Sequence, residues 1–151
     1  MNNPIKLIVQ FNQNAGLLEN GYDDFLESSF QIEEALEGFN LKDMDTEFSS
    51  SGLTYPDASP KSVSRNIVSA VVTKLSDVDR LDKACDAVVF AIGSMAKLGL
   101  NAQQITKALN VVMYHNNAKL AMPKDEHGKL MKSPDFIGPE KELQKILDER
   151  N

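Results

Sequence analysis

The stretch that most limits how this chain can fold is SDVDRLDKACDAVVFAIGSMAKLG, residues 76 to 99. Its apolar residues Val78, Leu81, Cys85, Val88, Ile92 and Met95 recur at alternating spacings of three and four. That is a helical period, not the strict alternation of a half-buried strand. It predicts a long amphipathic helix over about 77–98, with one core face and Gly99 at its end. The rest of the chain follows suit. Pro4 at a helix-start position, with Ile5, Ile8, Val9 and Phe11, predicts a short helix over 4–14, closed at Ala15-Gly16. Phe25, Ile32, Ala35, Leu36 and Phe39 share one side of a helix from about Tyr22 to Phe39. Val63, Ile67, Val71 and Leu75 predict another over 61–75. Asn101 is an N-cap for a helix over about 102–119, with the inward stripe Ile105, Leu109, Val112 and then Asn116. Pro139 to Arg150 reads as a short terminal helix, packed on the outside or on a partner. With no convincing strand, the expected fold is an all-α bundle in a single domain, 1–151.

Two of these helices carry acid beside their apolar face. Glu33, Glu34 and Glu37 crowd one turn, and Glu33 and Glu37 fall on the strip of Leu26 and Phe30. Like charges at i,i+4 repel by roughly 0.2–0.5 kcal/mol in an isolated helix, and a cation would remove that cost. Asp79, Asp82 and Asp86, at i, i+3 and i+7, form a second stripe on the long helix. Aspartate is a poor interior helix residue. Asp79 is excused by the first-turn dipole, but Asp82 and Asp86 are not. Each stripe read alone is equally a solvated acidic face. Read together, they offer oxygen ligands to hard divalent cations, Mg²⁺ above all, with Mn²⁺ as substitute.

The pattern Glu33-Glu34-x-x-Glu37 followed by Asp79-x-x-Asp82 resembles the paired acidic motifs of the all-α nucleoside triphosphate pyrophosphohydrolases. This is the MazG and phosphoribosyl-ATP pyrophosphohydrolase group, which includes the dimeric dUTPases. The stretch VMYHNNAKLAMPKDEHGKLMKSPDFIGP, residues 112 to 139, is similar to the ending of one branch of that group. The family's second motif usually begins with Glu, whereas Asp79 stands here. The resemblance implies a four-helix-bundle-like pyrophosphohydrolase fold, with a loop and helix inserted between the acidic helices over 40–76. It implies Mg²⁺-dependent hydrolysis of a nucleoside triphosphate to monophosphate and pyrophosphate, with a deoxynucleotide such as dUTP or a modified nucleotide as substrate. Glu33, Glu34, Glu37, Asp79, Asp82 and Asp86 are then the metal ligands, with Glu33 or Glu34 as catalytic base. Asn116, Lys119, Lys129 and Lys132 are then substrate contacts. It also implies a homodimer or higher homo-oligomer. A non-catalytic helical assembly module with two acidic faces is the alternative.

Composition narrows the field of partners. A net charge of −6 argues against a nucleic-acid or anionic-membrane surface, since both reward clustered Lys and Arg. No apolar run approaches the length of a membrane span. One cysteine excludes an internal disulfide and, with no signal peptide, fits a reducing cytoplasm. Cys85 reads as a small core residue on the apolar stripe. Two histidines without a Cys–His pair give no zinc spacing. His115 falls off the inward stripe. Residues 40–60 read as a loop, and 121–137 as a loop with Lys124, Lys129 and Lys132. Lysine ammonium groups are point-charge phosphate binders.

Overall fold

The computed structural model describes residues 2–19, 21–37, 59–70, 74–125 and 130–150. Among these the regular structure is helical, apart from one isolated antiparallel bridge between Lys124 and Leu130. The fold is all-α. The helices are α1 (Pro4–Asn14), α2 (Asp24–Leu36), α3 (Pro60–Ser69), α4 (Asp77–Lys97), α5 (Ala102–Ala118) and α6 (Glu140–Asp148). A 3₁₀ turn, Lys119–Ala121, follows α5. No single helix among the described residues is long and apolar enough to cross a membrane. The chain forms two compact units. One comprises Met1–Gly21 and Asp77–Asn151, the other Tyr22–Ser76.

In the first unit α5 is the central element, packing on α1, α4 and α6. Asn101 starts it with a reciprocal capping box. Its Oδ1 accepts the Gln103 and Gln104 N–H groups, and its own N–H donates to Gln104 Oε1. The core joins Leu100, Ile105 and Ala108 to Ile146 of α6, with Leu143 and Leu147 packed against it. Ile146 is only 1% exposed, the most buried large side chain. The terminal helix is therefore a core element, not an outer attachment. Burial of such an aliphatic side chain contributes about 1.5–3 kcal/mol. Polar contacts hold the same end. Arg150 Nη1 donates to the Leu98 carbonyl at 2.8 Å, and Gln104 Nε2 to the Glu149 carbonyl at 3.0 Å. The α4–α5 turn passes through Gly99 at φ +88°, a left-handed conformation that favours glycine.

The long helix departs from expectation. Its bounds and its end at Gly99 match, but none of its residues is buried. Val78 is 77% exposed, Val88 56% and Ile92 43%, and Cys85 is exposed as well. Only Met95, near its end, packs against the core cluster. The apolar face is real, but this unit does not cover it.

In the second unit α2 packs along α3. Asp23 caps α2, accepting from the Phe25 and Leu26 N–H groups at 2.9 Å. Ser59 and Ser62 form a capping box on α3. Both helices end earlier than their sequence patterns suggest. α2 stops at Leu36, with Glu37 turning to extended backbone at ψ 130°, and Phe39 lies outside the described residues. α3 stops at Ser69, and its buried residues are Val63, Ser64 and Val68. Ile67 is exposed and Val71 lies outside the described residues. Within this unit Ser29 and Ser64 are the smallest of the buried side chains, and helix axes come closest where the contact side chains are small.

Candidate functional site

The last turn of α5 and the segment after it bring together residues far apart in sequence. Asn116 lies on that turn and Lys119 is the C-cap. Lys119 Nζ donates to Asn116 Oδ1 at 2.6 Å. The same ammonium stands 5.2 Å from the Phe136 ring centroid, and Lys132 Nζ stands 6.0 Å from it. Both distances are within cation–π range. Two positive charges and a carboxamide thus gather about one ring.

Backbone contacts return the chain to this point. Lys124 and Leu130 form the isolated bridge, and the Met131 N–H donates to the Pro123 carbonyl at 2.9 Å. The Phe136 N–H donates to the Ser133 carbonyl at 3.1 Å. Lys124 Nζ donates to the Ala15 carbonyl at the end of α1, so this lysine anchors the loop. Lys129 lies outside the described residues.

His115 fastens the next segment to α5. It is 8% exposed, with Nδ1 at 2.9 Å from the Ile137 carbonyl and Nε2 at 3.2 Å from Glu142 Oε1. The two ring nitrogens thus each meet an oxygen, one on the backbone and one on α6. Ile137 is the residue after Phe136, and Asn116 the residue after His115. His115 therefore positions the cluster without belonging to it. Sequence reasoning passed over it because it lies off the apolar stripe. The signal available was its place beside Asn116.

The two acidic stripes lie in different units. On α2, Glu33 is buried at 8% exposed, while Glu34 faces solvent. Glu37 has left the helix, and its N–H donates to the Glu33 carbonyl at 3.1 Å. Its φ of −60° is still helical, so its Cβ keeps the i,i+4 place relative to Glu33 and the chain turns away only after it. On α4, Asp79, Asp82 and Asp86 are exposed on one helix. Their carboxylates are hard oxygen donors of the chemistry Mg²⁺ takes. Among the described residues no three His, Cys, Asp or Glu side chains form a group able to hold a metal ion.

A cleft of about 620 Å³ lies elsewhere in the first unit, between α1, α5 and α6. Its lining includes Leu7, Lys107, Asn110, Tyr114 and Glu142, and none of the residues singled out from the sequence. Lys107 is already paired with Glu149 at 2.8 Å. No protein-family model, curated protein or solved structure matches this chain.

Proposed function

We infer that the protein hydrolyses a nucleoside triphosphate, a deoxynucleotide by preference, to the monophosphate and pyrophosphate. The observation that supports this most is the convergence of Lys119 and Lys132 on Phe136 beside Asn116. These residues come from the tail motif, and paired ammonium groups suit a polyphosphate. Lys119 and Lys132 hold the outer phosphates, and Asn116 the sugar or a phosphate oxygen. Glu33, Glu34, Glu37, Asp79, Asp82 and Asp86 are the oxygen donors this reading assigns to Mg²⁺. When bound, Mg²⁺ neutralises the triphosphate and lowers the pKa of attacking water. Glu34, exposed on α2, is the residue best placed to take that proton, because Glu33 is buried. The active form is a homo-oligomer.

The test is a panel of NTPs and dNTPs with Mg²⁺, assayed for pyrophosphate. Release of orthophosphate instead, or no metal-dependent turnover on any of them, would reject the reading. The rival is a helical assembly module without turnover. The uncovered face of α4 favours it. Calorimetry separates the two: an enzyme binds Mg²⁺ or Mn²⁺ in a manner weakened by Glu34→Gln, and a module does not.

A further inference from the structure

The cleft between α1, α5 and α6 has a layout of its own. α5 lines it with Lys107, Asn110, Val111, Tyr114 and Asn117. At 100° per residue these fall within about 120° of arc, so they form one trough about 15 Å long. Its ends differ in charge. Lys107 marks one end, where it pairs with Glu149 at the close of α6. Glu142, in the first turn of α6, marks the other, where it meets His115 beside Tyr114. Tyr114 is 73% exposed, and its ring stands at 88° to that of His115, centroids 5.4 Å apart. Such an edge contact steadies an aromatic ring. We propose that this cleft binds a nucleoside monophosphate with an amino-bearing base, the phosphate at Lys107 and the base on Tyr114.

Each part of the trough has a counterpart in that ligand. The volume of about 620 Å³ lies in the range of small-molecule sites. Leu7 and Val111 give an apolar floor for a flat ring, and the exposed Tyr114 gives a surface on which a base stacks. The Asn117 carboxamide is exposed and offers both donor and acceptor, the pairing that asparagine makes with an adenine edge. Glu142 is half exposed and accepts from an exocyclic amine, and its charge keeps the phosphate at the far end. In the middle, Asn110 Nδ2 donates to the Asn2 and Thr106 carbonyls at 3.2 and 2.9 Å, which fixes the carboxamide. Its Oδ1 is buried with no partner among the described residues, and a ribose hydroxyl is the donor it lacks. The Lys107–Glu149 pair is 46% and 55% exposed. Exposed pairs are weak, so a phosphate can take the place of Glu149. The trough is separate from the cluster about Phe136, because Asn116 lies about 160° round α5 from Tyr114.

The proposal stands on the cleft alone and does not rest on the hydrolytic reading. The test is calorimetry of the full chain with adenosine monophosphate in EDTA, so that no metal takes part. Saturable binding is expected. Tyr114→Ala should weaken it by about five- to a hundred-fold, with Tyr114→Phe close to the wild type. Lys107→Ala should weaken it by about two- to five-fold and leave adenosine binding unchanged. Both residues are exposed, so these variants should keep the wild-type circular dichroism. Glu149→Gln, which frees Lys107, should tighten binding. Inosine monophosphate, with a carbonyl where adenine has its amine, should bind more weakly. Lys119→Ala should bind as the wild type does. No binding overturns the proposal, as does binding that survives Tyr114→Ala. Binding lost in Lys119→Ala overturns it as well, and puts the nucleotide at the Phe136 cluster. Equal binding of adenosine and inosine monophosphates overturns the assignment to an amino-bearing base.

Discussion

Lys119 and Lys132 meet the same ring from different settings. Lys119 is half-buried and bonded to Asn116 at 2.6 Å, whereas Lys132 is exposed. A charge-assisted contact is worth more when desolvated, about 1.5–3 kcal/mol, and far less in water. Lys119→Ala should therefore lower kcat/KM for a triphosphate by about ten- to a hundred-fold, and Lys132→Ala by only about two- to five-fold. Mg²⁺ affinity of the nucleotide-free protein should not change in either. Steady-state kinetics and metal calorimetry together check this; equal losses in both variants would mean that burial does not rank the two lysines. Much of this cluster was legible, because Asn116, Lys119 and Lys132 stand out in the tail motif. His115 was not. The predicted stripe Ile105–Leu109–Val112–Asn116 assumes one buried face, but α5 packs on α1, α4 and α6. A central helix buries a wider arc, and the buried set is Ile105, Ala108, Met113 and His115.

At the level of elements, starts were easier to read than stops. Asn3, Asp23, Ser59 and Asn101 each accept a backbone N–H two or three residues on, and Pro4 fills the first position of α1. The Asn101 cap starts the helix that carries the first unit's core. Asn101→Ala should cost about 1 kcal/mol of unfolding free energy, and Asn101→Gly only a few tenths. Urea unfolding at constant m-value checks the difference; equal costs would show that the side-chain oxygen does not hold the Gln103 and Gln104 N–H groups. Stops depend more on what the helix packs against. Gly99 ends α4 where predicted, since its left-handed turn is a local property. α2 ends at Leu36, before the predicted Phe39, and a glycine follows Glu37 in sequence. Glycine in a helix interior costs about 1 kcal/mol relative to alanine. α3 ends at Ser69, and its β-branched run beyond that point adds little helix propensity. The apolar face of α4 was legible, but not its exposure. Periodicity marks a surface that needs covering and does not say which surface covers it.

On the scale of the whole molecule, acid outweighs base. The net charge is −6, and the two acidic stripes belong to different units. The all-α class was legible because the helical period recurs along most of the chain. That the two acidic stripes belong to different units was not, because spacing along a helix does not encode tertiary placement. The proposed function nonetheless makes a definite thermodynamic demand. A ligand that binds the folded state alone stabilises it by RT ln(1 + [L]/Kd), about 2.7 kcal/mol at a hundredfold excess over Kd. Mg²⁺ should therefore raise the melting temperature, and by more than sodium chloride of equal ionic strength. The salt arm matters because screening alone relieves repulsion in a chain of this charge. Glu34→Gln and Asp82→Asn should each remove most of the Mg²⁺-specific part. Without metal, Asp82→Asn should melt at or slightly above the wild type, since a repelling carboxylate has gone. Equal stabilisation by sodium and magnesium salts would leave only a screened acidic surface, and the metal-dependent mechanism would fall with it.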